Sequence, residues 1–151
     1  MRAVCQRVSS ARVTVDGEVA GSIGRGLVVL LGIATVDHDA DADRLAAKIA
    51  RLRIFAGDDG RFDRSVLDVG GAALVVSQFT LIADTRKGNR PSFVDAAPPE
   101  FAERLYRRFC AQLGSDGVAI ATGVFGAKMR VEIVNDGPVT IVLDMGAVKS
   151  R

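Results

Sequence analysis

The chain has 151 residues, 48% apolar and 25% charged, which is enough apolar material for one core and too little length for two independent domains. Sixteen Gly against four Pro, with seven Phe, one Tyr and no Trp, describe a single turn-rich, β-containing domain over 1–151 and exclude a coiled coil or collagen-like rod. A balance of 20 basic and 18 acidic residues leaves a net charge of +2, which excludes a purely electrostatic grip on a long nucleic-acid backbone. No DNA partner is expected, and any RNA contact must be local.

Residues Arg2 to Val15 read as a strand, with Val4 and Val8 on one parity and Val13 and Val15 on the other, so a bulge is expected near Ser9-Ser10. Asp16-Gly17 closes a hairpin onto a strand from Glu18 to Ile23, and Gly24-Arg25-Gly26 turns the chain into the apolar strand Leu27 to Ile33. The acidic stretch Asp37 to Asp43 precedes Ala42, Leu45, Ala46, Ile49 and Leu52 at helical spacing, which predicts the first helix. Asp58-Asp59-Gly60 marks a turn, Ser65 to Val69 a short strand, and Ala72 to Thr80 an apolar central strand.

The polar segment from Asp84 to Ala97 reads as an irregular loop of functional length. Pro98-Pro99-Glu100 starts a second helix whose buried stripe is Phe101, Leu105, Phe109 and Leu113, ended by Gly114 to Gly117. Strands follow at Val118 to Thr122, Lys128 to Val134 and Val139 to Met145, the last two joined by Asn135-Asp136-Gly137-Pro138. Short turns between successive strands argue for an α+β fold with mostly antiparallel sheets.

Several familiar constellations fail on their surroundings. Cys5 and Cys110 have no partner at metal-ligand spacing, so no metal and no cofactor are expected, and a reducing cytoplasm is the expected location. The longest apolar stretch, Leu27 to Ala34, is too short to cross a bilayer, so no membrane role is expected. The lone His38 sits among aspartates at a helix start, and Asp37, Asp39, Asp41 and Asp43 lack the glycine of a calcium loop; N-capping and dipole pairing account for them better. Arg104, Arg107 and Arg108 fit either RNA phosphates or the carboxyl end of a helix dipole.

Two segments exceed what folding demands. Ser77-Gln78-Phe79-Thr80-Leu81 places polar side chains at the carboxyl end of an apolar strand, a usual site of binding chemistry. Asn135-Asp136-Gly137-Pro138-Val139-Thr140 combines a glycine free in φ with a proline that permits a cis bond and removes a donor; by itself it reads as a tight hairpin turn.

Together these two segments resemble the signature pair of the D-aminoacyl-tRNA deacylases, also called D-tyrosyl-tRNA deacylases. The likeness extends through Gln6-Arg7-Val8, Leu30-Leu31-Gly32, Arg53-Ile54-Phe55, Arg90-Pro91-Ser92-Phe93 and Thr122-Gly123-Val124-Phe125-Gly126 in the same order. It implies a homodimer with a barrel-like core and two helices, acting at the 3′-terminal adenosine of aminoacyl-tRNA. The implied reaction is hydrolysis of the ester to a D-amino acid, with removal of mischarged glycine as well. Gly137 and Pro138 are then the cis peptide that enters the partner subunit's site and excludes an L-side chain. Ser77, Gln78, Phe79 and Thr80 are the catalytic segment, Arg7 braces the glycine–proline loop, and Phe125 and Met129 line the adenosine pocket.

Physical reasoning agrees with such a filter. D- and L-residues share every functional group and differ only in where the side chain points, so a rigid wall must separate them, and glycine passes any such wall. For the chemistry, Thr80 as nucleophile has no histidine to activate it, and neither Asp84 nor Asp136 has an evident route to its hydroxyl. The favoured scheme has the backbone N–H groups of Phe79 and Thr80 as an oxyanion hole while the substrate's own 2′-hydroxyl assists a water. The alternative is an RNA-binding module of the same fold without turnover.

Overall fold

Asp16 (φ 50°) and Gly17 (φ 80°) both take positive φ, the combination whose twist suits a two-residue hairpin, and they join β1 (Arg2–Val15) to β2 (Glu18–Ile23). The computed structural model, which describes residues 1–145, continues with β3 (Gly26–Gly32), α1 (Asp39–Arg51), β4 (Phe55–Ala56), β5 (Phe62–Arg64) and β6 (Ala72–Ser77). A single 3-10 turn (Phe79–Ile82), α2 (Pro99–Ser115), β7 (Ala119–Thr122) and β8 (Arg130–Asp144) complete the described chain.

The main sheet has the order β2-β1-β3-β6-β7, with β8 paired to the other side of β1. All three partners of β1 are antiparallel to it, as expected, but β3–β6 and β6–β7 are parallel. The reason lies in the connections: each passes through a helix, α1 before β6 and α2 before β7, which returns the chain to the same end of the sheet. The sheet is therefore mixed, and it curls until its edges meet. A Cβ on Gly21 of β2 would stand 2.3 Å from the carbonyl oxygen of Thr122 in β7, so the absence of a side chain there lets the barrel nearly close.

Two cores result. Leu27, Val29 and Leu31 of β3 face a cluster shared with Leu45 and Ile49 of α1 and Leu105 and Phe109 of α2. Val28, with Leu74 and Val76 of β6, faces a second cluster enclosed by the curl of the sheet. Burial on both faces is why β3 and β6 read as continuous apolar runs. β1 belongs to both, with Ala3 and Cys5 in the first core and Val8, Ala11 and Val13 in the second. The change of phase occurs at register shifts between Gln6 and Val8 and between Val8 and Ser10, the irregularity that its valine parity predicts.

Other expectations shift. The short strand expected at Ser65 to Val69 is a turn, in which the Ser65 N–H donates to Asp68 and the Asp68 N–H to the Ser65 hydroxyl; the strand lies earlier, at Phe62–Arg64, paired with Phe55–Ala56. The central strand ends at Ser77, so Thr80 lies in the 3-10 turn rather than on the strand. The two strands expected on either side of Asn135 to Pro138 are one strand, β8, and both halves pair with β1.

The acidic stretch is consumed by folding. The Asp37 carboxylate accepts from the Met1 ammonium at 2.5 Å, both groups buried, and from the Ala34 N–H at 2.7 Å. Asp39 and Asp43 accept from Arg104 and Arg108 across the α1–α2 contact, while Arg107 pairs with Glu103 one turn earlier. These arginines tie helices to each other and to themselves.

Candidate active site

Gly32 is where the end of β3 meets the 3-10 turn, since a Cβ there would stand 2.9 Å from both the Gln78 carbonyl oxygen and Leu81 Cβ. The close approach carries Ser77, Gln78, Phe79 and Thr80 across the end of the sheet, and the Gln78 N–H donates to the Leu31 carbonyl at 2.8 Å. Arg2 holds the other end of the turn, donating to the Leu81 carbonyl at 2.6 Å. Within the turn, the Leu81 N–H donates back to the Gln78 carbonyl. The amides of Phe79 and Thr80, at its amino end, have no partner among the described residues.

A cavity of about 610 Å³ opens beside this turn and is lined by Ser77, Gln78 and Phe79 together with Phe125 and Met129. Five expected site residues thus share one pocket. Thr80 is the next residue along, exposed, and its hydroxyl oxygen accepts a hydrogen bond from the Gln78 side-chain amide. The Phe79 ring, 58% exposed, meets Phe93 edge-on with centroids 5.2 Å apart, so the loop after Asp84 closes one wall. That loop is more ordered than expected: Asp84 and Ser92 exchange both backbone hydrogen bonds, and the Ala97 N–H donates to the Ile33 carbonyl.

Elsewhere in the lining, Gly123 makes room for Met129, whose sulfur would lie 2.5 Å from a Cβ at that position. Phe125 packs against Tyr106 at 5.7 Å, and the Tyr106 hydroxyl donates to the buried Val75 carbonyl at 2.7 Å. Burial raises the Tyr106 hydroxyl well above its ordinary range, so it serves as a fixed donor and not as an acid near neutrality. Burial also pushes the thiols up, Cys5 to about 12 and Cys110 to about 11, which removes both as nucleophiles.

Gly137, Pro138 and Arg7 do not line this pocket. In the β1–β8 ladder, Gln6 pairs with Thr140 and Val8 with Asn135, so residues 136–139 stand against Arg7 alone and are ejected as a bulge. The segment is not a hairpin turn. The Gly137–Pro138 peptide is cis and Gly137 has φ 141°, a value that favours glycine. Arg7 donates to the carbonyls of Asp136 at 3.0 Å and Ile54 at 2.9 Å, and lies 5.7 Å from the centroid of the Phe62 ring. The Asn135 side chain closes the base, accepting from the Val139 N–H at 2.9 Å and donating to the Thr140 hydroxyl at 3.1 Å.

Three braces of this loop escaped sequence reasoning: the Ile54 carbonyl, the Phe62 face and the Asn135 amide. Arg53-Ile54-Phe55 entered the resemblance as a matching stretch only, with no link to Arg7. The carbonyl is a backbone atom, and Phe62 lies on a short strand placed elsewhere by periodicity.

The chain matches the D-Tyr-tRNA(Tyr) deacylase family over residues 4–144. It is 64% identical over 144 residues to a D-aminoacyl-tRNA deacylase of Roseiflexus castenholzii, covering 95% of this chain and 92% of that protein. It is 63% identical over 145 residues to a D-aminoacyl-tRNA deacylase of Ruegeria pomeroyi, covering 96% and 100%. Among solved structures it superposes on a c-Myc DNA unwinding element binding protein with TM-score 0.91 at 46% identity, covering 97% and 100%. A probable eukaryotic D-amino acid tRNA deacylase gives TM-score 0.83 at 17% identity over 95% and 98%, a likeness of fold alone.

Proposed function

The chain belongs to the D-Tyr-tRNA(Tyr) deacylase family, hydrolases that act on D-aminoacyl-tRNA, and we propose how its residues divide that task. The terminal adenosine lies against Phe125 and Met129, and the aminoacyl ester reaches the Phe79 and Thr80 amides. The Gly137-Pro138 loop of one subunit enters the pocket of a second copy and excludes L-side chains. The carrying observation is that this loop is rigidly braced and exposed, yet lies outside its own chain's pocket. A braced loop with no pocket of its own suits a neighbour. Glycine, having no side chain to exclude, is removed as well.

For the chemistry, the hydroxyl oxygen of Thr80 accepts from Gln78 through one of its two lone pairs, and its proton is left to donate. No described side chain with a basic atom accepts that proton. Thr80 therefore positions the substrate. The amides of Phe79 and Thr80 receive the developing oxyanion, each such donor being worth roughly 3–4 kcal/mol, and the substrate's 2′-hydroxyl assists a water. That modest contribution suffices for an ester activated by a neighbouring α-ammonium.

No described helix is long and apolar enough to cross a membrane. The reading places the protein with its tRNA substrate in the cytoplasm, and a net charge of +2 argues against a DNA partner. The test is initial-rate deacylation of D-tyrosyl-, L-tyrosyl- and glycyl-tRNA, with light scattering on the same sample. Cleavage of the D-tyrosyl and glycyl esters by a dimer, with the L-tyrosyl ester spared, is the expected result. A monomer that cleaves with full chirality overturns the cross-subunit loop, and binding without any cleavage leaves an RNA-binding module.

A further inference from the structure

Twelve of the eighteen described Arg and Lys side chains are paired with a carboxylate within 4.0 Å. Six form no ion pair within 4.0 Å among the described residues: Arg25, Lys48, Lys87, Arg90, Lys128 and Arg130. Arg25 lies over the Phe55 ring at 5.6 Å, and Lys48 sits on the exposed face of α1. The other four fall in two pairs, each on a segment that also supplies a residue lining the pocket.

Lys87 and Arg90 lie at the exposed tip of the loop whose stems are joined by the Asp84–Ser92 bridge. Phe93, which lines the pocket and meets Phe79, is three residues beyond Arg90, a span of at most about 11 Å at roughly 3.6 Å per residue. Arg86, on the same loop, is held by Asp84 through two side-chain bonds of 2.9 and 2.7 Å and is not available. Lys128 and Arg130 flank Met129, which lines the pocket and also a neighbouring shallow cleft that the two cations share with Thr14, Asp16 and Gly17. Arg130 has only a distant attraction to Glu132, which Arg12 already holds, and the nearby Asp16 lies within 4.0 Å of neither cation.

An adenosine seated in the pocket must send its sugar–phosphate chain out past these segments. We propose that Lys87 and Arg90 on one segment and Lys128 and Arg130 on the other hold the phosphates of the tRNA acceptor arm as it leaves the pocket. The proposal rests on the deacylase reading, which supplies the RNA. It also reconciles a net charge of +2 with an RNA substrate: a short phosphate track needs only local positive charge, and four of the six unpaired described cations supply it there.

The test measures binding of an uncharged acceptor-arm minihelix by fluorescence anisotropy between 50 and 200 mM salt. Four phosphate contacts give a log–log slope of about −3.6, at roughly −0.9 per contact on a duplex. Lys87→Gln with Arg90→Gln, and separately Lys128→Gln with Arg130→Gln, are each expected to flatten the slope by about 2 and to weaken low-salt binding roughly 10- to 100-fold. Arg44→Gln with Lys48→Gln removes two charges from α1 and is expected to change neither quantity. Rim variants that bind like the parent, or a control weakened as much as they are, overturn the proposal; circular dichroism confirms that each variant is folded. Turnover of D-tyrosyl-tRNA by the parent runs alongside: its absence sinks the deacylase reading, whereas unchanged minihelix binding sinks only the rim.

Discussion

Replacing Gly137 by Ala tests the loop with one methyl group. The new Cβ would stand 2.9 Å from the Val139 backbone nitrogen, 2.7 Å from Val139 Cγ2 and 3.3 Å from Arg7 Nη2, at a backbone φ of 141°. The nitrogen cannot retreat without loosening the hydrogen bond it donates to the Asn135 side-chain oxygen, and Arg7 is held by two carbonyls. Forcing an L-residue into that conformation costs about 1–3 kcal/mol, and the Asn135 bond adds about 1 kcal/mol. At about 2–4 °C per kcal/mol for a chain of this size, the melting temperature should fall by roughly 4–16 °C. Relief comes from moving the loop, and a displacement near 1 Å should cost about 10²-fold in deacylation of D-tyrosyl-tRNA or admit L-tyrosyl-tRNA. Matched D and L initial rates and a thermal melt measure both. A variant that melts like the parent, with unchanged rate and chirality, refutes the assignment of this loop.

Thr80→Ala should retain substantial turnover, because the oxyanion donors are backbone amides; a loss beyond about three orders of magnitude would identify its hydroxyl as the nucleophile. Asp37→Ala leaves the Met1 ammonium buried without its carboxylate and should cost about 3–5 kcal/mol, read as a drop in melting temperature. A drop no larger than that of a surface substitution would show that water reaches the site. Acid should destabilise the fold: Arg108 holds Asp43 below the usual carboxylate range, Arg12 does the same for Glu132, and Arg86 lowers Asp84 to about 2. Groups with depressed folded values stabilise above the unfolded value near 4 and lose that contribution as pH falls through the folded value. The melting temperature should therefore be level from pH 7 to 5 and decline between about pH 4 and 2; a rise on acidification would contradict these pairings.

The local features of the fold were legible where residue chemistry acts over a few positions. Asp16-Gly17 marked its hairpin, the valine parity of β1 marked its register shifts, and the spacing of Leu45, Ile49, Leu105 and Phe109 marked both helices. The direction of β6 was not legible, because an apolar run buried on both faces has the same composition in a parallel or antiparallel setting. Asn135 to Pro138 carried ordinary turn residues, and nothing in them reports that both flanks return to the same neighbouring strand. The Ser77-Gln78-Phe79-Thr80 segment stood out because polar side chains followed an apolar strand, whereas Phe125 and Met129 emerged only through the resemblance. Arg7 emerged only through the resemblance, since its partners are backbone carbonyls far along the chain.

The bulge in β8 lies where that strand passes from one core to the other. Val139 and Leu143 on one flank belong to the core against the helices, while Val131 and Ile133 on the other pack against the core inside the curl of the sheet. The two flanks behave as separately anchored piers, and the loop is the span between them. A change of volume deep in either core tilts one pier and not the other. Buried substitutions such as Leu143→Ala or Val13→Ala are therefore candidates for altered stereochemical discrimination, although neither residue touches the span.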